Sequence, residues 1–139
     1  MKLFVLGATG RTGQEIVRQA LARGHHISAF VRSPESIRLT NERLSILTGS
    51  AMDEDQLFNA MQNHDAVLSA LGPRQPFKQS SILRDSALAT TRAMRRSGVK
   101  RLLILSAAAH FPGIPNRIVS FILRNHMRDS RAMEEIWSG

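Results

Sequence analysis

The chain has 139 residues, a length that predicts one domain with a hydrophobic core of its own. Hydrophobic residues make up 42% and charged residues 22%, which excludes an intrinsically disordered chain. Lys and Arg outnumber Asp and Glu by 19 to 11, a formal net charge of +8, and most of the cations are arginines, which suit phosphate contacts. The absence of cysteine excludes a disulfide scaffold, a Cys-ligated metal site and a cysteine nucleophile.

The apolar runs are too short for a membrane or export signal. The first run, residues 3–6, is shorter than a secretory h-region, and a glycine-rich turn follows it at once. A later run at residues 118–123 is far below the roughly 18 residues that a membrane span needs. We therefore expect a soluble, cytoplasmic protein with no membrane partner.

Short apolar runs alternate with longer amphipathic segments along the chain, and this pattern predicts strands separated by helices. The predicted strands cover residues 3–7, 26–31, 44–48, 66–70 and 101–105. The predicted helices cover residues 11–23, 53–63 and 81–97, with a short helical turn opened by Ser33 and Pro34 and further helical patterns at 117–124 and 129–137. The acidic residues 53–55 stand in the first turn of the second helix, where they complement its dipole.

Five apolar strands alternating with helices predict βαβ crossovers and a parallel sheet buried on both faces. We expect a three-layer α/β fold with a doubly wound sheet of about five strands in the order 3-2-1-4-5, forming one domain over residues 1–139. The last helical pattern ends at Ser138 and Gly139, where a sixth strand would be expected next. This leaves open that the chain is truncated before that strand.

The segment GATGRTG at residues 7–13 follows the first predicted strand and opens the first predicted helix. Glycine at Gly7 allows the tight turn, Gly10 lets the backbone approach a pyrophosphate, and Gly13 lets the helix pack closely on the sheet. Free N–H groups at the helix start, together with the helix dipole, attract the phosphates. The segment therefore predicts a dinucleotide-binding Rossmann fold rather than a turn with incidental glycines.

The end of the second predicted strand indicates which dinucleotide is preferred. Sites that prefer NAD carry an Asp or Glu there to bind the ribose 2′-hydroxyl, whereas this chain has Arg32 followed by Ser33. A guanidinium cannot accept a hydrogen bond from the hydroxyl, but it can clamp a 2′-phosphate, with Arg11 on the other side of the same group. NADP(H) is therefore favoured over NAD(H), unless Arg32 is simply a solvated charge in an Arg-rich chain.

Four segments resemble the atypical short-chain dehydrogenases/reductases, in particular the NmrA-like and flavin reductase (biliverdin reductase B)-like group. They are GATGRTG (7–13), FVRSP (30–34), DAVLSALG (65–72) and SGVKRLLILSA (97–107). The resemblance extends over essentially the whole chain. It implies an NADP(H)-binding protein and favours an NADPH-dependent reductase that passes hydride to a planar conjugated acceptor, such as a flavin or a quinone.

The resemblance also implies a cofactor contact at particular positions. The phosphate contacts fall on Thr9, Gly10, Arg11, Thr12 and Gly13, and the 2′-phosphate contacts on Arg32 and Ser33. The adenine contacts fall on Gly49, Ser50 and Ala51, where relatives carry Gly-Asp-Val, so the contact of that Asp with the adenine amino group is in doubt here. The ribose on the nicotinamide side lies along Ala70, Leu71 and Gly72, and Arg74 follows near the phosphates.

Catalytic candidates are few. The Tyr-x-x-x-Lys pair of the superfamily is excluded because the chain has no tyrosine. Ser106 ends the fifth predicted strand and matches the family serine, where it can bind a substrate carbonyl or the nicotinamide carboxamide, or merely close the strand. His110 and His126 can donate a proton near neutral pH or can be solvated loop residues. The histidine of biliverdin reductase-like relatives corresponds to Ala132, which puts biliverdin reduction in doubt, and no spacing predicts a metal site.

Three alternatives stay open beside the reductase. NmrA-like relatives bind the dinucleotide as sensors and regulate a protein partner without turnover. The chain can also be a truncated Rossmann domain that lacks its substrate lobe. Basic clusters within residues 92–101 and 117–131 invite a nucleic-acid interpretation, but no stacking platform or recognised motif accompanies them, so nucleic acid is not expected. The run at 118–123 favours core packing or a homo-oligomer contact.

Overall fold

The computed structural model describes residues 1–72 and 80–105, with 80–82 described by their backbone alone. Five strands lie in this part of the chain: β1 (Lys2–Leu6), β2 (His26–Val31), β3 (Leu44–Thr48), β4 (Ala66–Ser69) and β5 (Leu102–Ile104). Three α-helices alternate with them: α1 (Arg11–Ala22), α2 (Glu54–Ala60) and α3 (Ser80–Ser97). A 3-10 turn at Pro34–Ser36 confirms the short helical turn predicted after β2.

The strands form one parallel sheet in the order β3-β2-β1-β4-β5, as predicted. The central strand β1 pairs with β2 on one side and with β4 on the other, so that Phe4 lies opposite both Ser28 and Val67. The chain therefore runs outward from β1 in both directions, which is the doubly wound arrangement of a Rossmann fold.

Alternating side chains of β1 enter two separate hydrophobic cores. Leu3 and Val5 pack on the side of α1, in a core that this helix completes with Val17, Ala20 and Leu21. Phe4 and Leu6 point to the other side and pack against α2 and α3, with Leu57, Met61, Ala89, Ala93 and Met94. Because successive strand residues face opposite sides, a continuous apolar run is what a strand between two helical layers requires.

The prediction that every strand is buried on both faces is wrong for the two edge strands. Ile46 on β3 is 37% exposed, and Leu103 and Ile104 on β5 are 40% and 55% exposed. The described helices pack over the central strands and leave parts of both outer strands uncovered. Apolar sequence alone could not distinguish an outer strand from an inner one.

Helix α2 has acidic residues in its first turn, as predicted, but is shorter than the predicted span 53–63. Asp53 caps it by accepting the Gln56 N–H at 3.0 Å, and acidic residues fill its first turn. The helix ends at Ala60, and Asn63 adopts a left-handed backbone with φ of 61°. Asparagine tolerates that conformation, which lies in the turn between the helix and β4.

The buried face of helix α3 agrees in part with the predicted one. The spacing predicts an inward stripe of Leu83, Ala87, Thr90 or Thr91, and Met94. Thr90 and Met94 are buried and Leu83 is half-buried, but Ala87 and Thr91 are exposed. The buried residues are Ser86, Ala89, Thr90, Ala93 and Met94. Small side chains on this face allow α3 to approach α2.

Arg96 of α3 also contacts α2. It binds Glu54 and Asp55 at 2.9 and 2.7 Å and stacks over the Phe58 ring.

His25, at the amino-terminal edge of the sheet, gives the fold a dependence on pH. Its Nδ1 lies 3.4 Å from the amino group of Met1. Burial lowers the pKa of His25 below its ordinary value of 6.5, and the positive charges of the amino terminus and Arg23 lower it further. The unfolded chain therefore binds a proton at His25 at a higher pH than the folded chain does.

We expect the free energy of unfolding to fall as the pH drops below the unfolded pKa of 6.5, since the unfolded state then binds more protons. Urea unfolding between about pH 8 and about pH 5 measures this slope. His25→Asn should flatten the slope, whereas His26→Asn, at the exposed neighbouring position, should leave it as it is. An unchanged slope in His25→Asn would contradict the assignment.

Among the described residues, no helix combines the length and the apolar character that crossing a lipid bilayer requires.

Candidate functional site

A cleft opens where the strand order reverses. β1 lies between β2 and β4, and the carboxyl ends of these strands form the switch point at which open α/β sheets bind ligands. The cleft has a volume of about 200 Å³. Its walls consist of Gly7, Thr9, Phe30, Val31, Arg32, Ser33, Ser36, Gly49, Ala51 and Leu71.

Two of the motif glycines are required by the fold itself. Gly7 has a φ of +74°, and a Cβ added there would lie 2.6 Å from the carbonyl carbon of Ala70. A Cβ at Gly13 would overlap the carbonyl oxygen of Gly7 and lie 2.8 Å from Ala8 Cα. The turn from β1 into α1 is thus pressed between the helix and the end of β4, and only glycine fits at both points.

Gly10 differs from the other two, because nothing in the described part of the chain requires glycine there. Its φ is −76°, and an added Cβ would meet only the Gly7 carbonyl oxygen, at 3.6 Å. Gly10 is the N-cap of α1, and no side chain caps the helix. The first-turn N–H groups, including those of Arg11 and Thr12, therefore stand at an open helix start, an arrangement that attracts anions.

Positive charge lies along the β2 side of the cleft. Arg32 and Ser33 follow the last residue of β2, and both are exposed. No carboxylate lines the described cleft. Arg11, at the start of α1, is also exposed, and within residues 1–72 and 80–105 neither guanidinium belongs to an ion pair. Two uncompensated cations therefore stand near the open helix start.

The loop after β3 forms a further part of the cleft wall. Gly49 leaves room for the Phe30 ring, which a Cβ would overlap. The N–H of Ser50 donates to Gln56 Oε1 at 2.9 Å, and Ser50 Oγ accepts the N–H of Met52 at 3.3 Å. Gln56 thus holds this loop from the first turns of α2, and the Ser50 side chain is engaged within the loop.

The structure brings most of the predicted site residues to one place. Seven of them line the cleft: Gly7, Thr9, Arg32, Ser33, Gly49, Ala51 and Leu71. Gly10, Arg11 and Thr12 stand beside it at the start of α1, whereas Gly13 is buried under the turn. Ala70 packs against Gly7, and Gly72 is exposed. Arg74, Ser106, His110 and His126 lie outside the described residues.

Sequence reasoning missed three wall residues, Phe30, Val31 and Ser36. Phe30 and Val31 belong to the FVRSP segment, but they also lie in an apolar strand, and such a position predicts only a core residue. Ser36 reaches the wall because the 3-10 turn that begins at Pro34 bends the chain back over the end of β2. Proline two residues before a serine was the available signal, since it fixes a turn at that point.

Comparisons of the sequence and the structure relate the chain to known proteins. The sequence profile of the NAD(P)H-binding family matches residues 7–138. The photosystem II assembly factor Ycf39 of a Synechocystis strain is 32% identical over 122 residues, covering 83% of this chain and 37% of that protein. The 3-diazoavenalumate denitrifying reductase of a Streptomyces species is 30% identical over 123 residues, covering 78% of this chain and 38% of that protein.

A solved Rossmann-fold NAD(P)-binding family protein from Shigella flexneri superposes with a TM-score of 0.62 at 25% identity, covering 73% of this chain and 49% of that one. The chain thus spans less than two fifths of the length of both curated relatives. The family profile, in contrast, covers nearly all of it. The chain belongs to the NAD(P)H-binding family, a Rossmann-fold group related to reductases that fits the atypical short-chain, NmrA-like resemblance of its motifs.

Proposed function

We propose that the chain binds NADP(H) in preference to NAD(H) and is an NADPH-dependent reductase of the atypical short-chain class. The observation that carries this proposal is the β2 side of the cleft, where exposed Arg32 and Ser33 line a wall without a carboxylate. A guanidinium at this position favours a 2′-phosphate, whereas a free 2′-hydroxyl is best bound by Asp or Glu. The acceptor that we propose is planar and conjugated, such as a flavin or a quinone.

Each part of the cleft has a proposed role in holding the dinucleotide. The open start of α1, with Thr9, Gly10, Arg11 and Thr12, binds the pyrophosphate; Arg32, Ser33 and Arg11 hold the 2′-phosphate. The loop formed by Gly49, Ser50 and Ala51 packs against the adenine. Ala70, Leu71 and Gly72 lie along the ribose on the nicotinamide side. Two further roles rest on the resemblance alone. We propose that Arg74 lies near the phosphates and that Ser106 is a polar anchor.

The chain's own part in the chemistry is binding and orientation. Bound nicotinamide supplies the hydride. The described cleft wall offers hydroxyl groups from Thr9, Ser33 and Ser36 but no His, Asp or Glu. Aliphatic hydroxyls are too weakly acidic to give up a proton near neutral pH. We propose that, after hydride transfer, the reduced acceptor takes its proton from buffered solvent.

Calorimetric titration of the chain with NADPH and, separately, with NADH tests the cofactor proposal. We expect NADPH to bind at least roughly tenfold more tightly, a difference of about 1.4 kcal/mol, because the 2′-phosphate adds charge-assisted hydrogen bonds. Equal affinities would overturn the preference. If neither dinucleotide bound, the reductase proposal would fall as well.

A second candidate is a dinucleotide-sensing regulator without turnover. It is favoured by the lack of a proton donor in the described cleft wall, and the Synechocystis relative is named as an assembly factor rather than as an enzyme. The reductase proposal is supported by the Streptomyces relative, which is named as a reductase.

NADPH oxidation in the presence of flavins and quinones separates the two candidates. Saturable turnover above the rate of each acceptor with NADPH alone would support the reductase. Tight NADPH binding without turnover on any acceptor would favour the sensor. Parallel reactions with NADH serve as the matched control, because a chain that uses Arg32 as proposed should turn over more slowly with NADH at low cofactor concentration.

A further inference from the structure

A second groove lies beside α1. We call it the α1 groove; its walls consist of Ala8, Gln14, Val17, Arg18, Ser36, Ile37, Arg38 and Leu39. It has a volume of about 430 Å³, within the size range of small-molecule sites. Ser36 is the one described residue that it shares with the dinucleotide cleft. None of the cofactor roles proposed above uses the α1 groove.

The floor of the α1 groove is apolar. Ala8 and Val17 are buried and belong to the core beneath α1, and half-buried Ile37 packs against the same core. Leu39 is a large apolar side chain that is 41% exposed. Apolar surface is thus continuous from the core to the solvent along this groove, and a ligand with an apolar body would remove it from water.

The rim of the α1 groove is positive. Arg18 is compensated, because it binds Glu15 with two hydrogen bonds of 3.0 and 2.6 Å. Arg38 is exposed and belongs to no ion pair within residues 1–72 and 80–105. Gln14 ties its amide to the Thr9 carbonyl at 3.1 Å, which connects this wall to the glycine turn. The groove runs along the middle of α1, from Gln14 to Arg18.

An apolar floor beneath an uncompensated cation is complementary to an amphiphilic anion. We propose that the α1 groove is a second binding site, which takes a small aromatic or aliphatic molecule carrying one carboxylate or sulfonate. The apolar body lies on Ile37 and Leu39, and the anionic group binds Arg38. The site does not depend on the proposed dinucleotide binding.

Fluorescence titration with anilinonaphthalene sulfonate, an aromatic sulfonate, tests the proposal on the cofactor-free chain. We expect Arg38→Glu to weaken binding roughly tenfold, since a hydrogen bond to a charged group is lost and a like charge replaces it. Leu39→Asn should weaken binding severalfold through the loss of apolar contact. Two matched controls, Arg32→Glu in the cleft and Arg92→Glu on the exposed side of α3, should bind the probe like the unchanged chain.

Methyl NMR locates the probe independently of any variant. We expect the Val17 and Ile37 methyl resonances to shift on titration, and those of Val99, in the other core, to stay in place. If Arg32→Glu weakened binding of the probe as much as Arg38→Glu does, the probe would lie in the cleft and the proposal would be overturned. Equal binding by all variants would overturn it too. Failure of NADPH to bind would leave this result untouched, so the two proposals can fail separately.

Discussion

Gly13→Ala is expected to destabilise the chain by about 3 kcal/mol or more, a large share of the stability of a typical domain. An added Cβ would overlap the Gly7 carbonyl oxygen and approach the Ala8 Cα, and both obstacles are backbone atoms. Relief therefore requires α1 to move away from β1, which opens the core beneath the helix. The higher helix propensity of alanine offsets only about 1 kcal/mol of this loss. Urea unfolding followed by circular dichroism measures the change.

Gly10→Ala is the matched control, since it makes the same change three residues earlier in the same turn. The open space around Gly10 admits the methyl group, so we expect a loss of stability of no more than about 1 kcal/mol, the usual cost of alanine at an N-cap. NADPH affinity should nevertheless fall, because the methyl group stands where the pyrophosphate approaches the helix start. Equal destabilisation by both variants, or a Gly13→Ala chain as stable as the original, would contradict the packing argument.

Arg32→Asp is expected to lower the affinity for NADPH roughly hundredfold without lowering the affinity for NADH. The substitution removes charge-assisted hydrogen bonds to the 2′-phosphate and places a carboxylate beside it. The same carboxylate can accept a hydrogen bond from the free 2′-hydroxyl of NADH. Arg32 is exposed and belongs to none of the ion pairs in the described part of the chain, so the fold should not change.

Calorimetric titration of this variant with both dinucleotides gives the two affinities. Arg38→Asp is the matched control: it removes the same charge from an exposed arginine six residues further on, in the α1 groove, and should leave the ratio of the affinities unchanged. If Arg32→Asp also left that ratio unchanged, Arg32 would be a solvated charge at the end of β2, and the NADP(H) preference would have to come from elsewhere.

Much of the fold was predictable because its information is local. The central strands are short and mainly apolar, which suits strands between two helical layers, and the turns that follow contain glycine or proline. The GATGRTG segment was equally informative, because the spacing of Gly7 and Gly13 matches a contact between a helix start and the turn that leads into it. The site residues in that turn and at Arg32 followed from their places at the carboxyl ends of strands.

The wrong predictions concern contacts between distant parts of the chain. The inward face of α3 includes Ala89 and Ala93 in place of the predicted Ala87, because these small side chains pack in one core with Leu57 of α2. Ser36 joined the cleft wall through a turn that folds back over β2. Neither fact follows from periodicity or from a motif.

Apolar periodicity and glycine spacing act over a few residues, so they were enough to predict the strand and helix order, the parallel sheet and the dinucleotide-binding turn. The atoms that Gly7 and Gly49 approach, the exposure of the edge strands and the groove beside α1 were not predictable from these short-range patterns. Those properties depend on atoms that meet across the sheet: Ala70 against Gly7, the Phe30 ring against Gly49, and Ile37 against the core beneath α1.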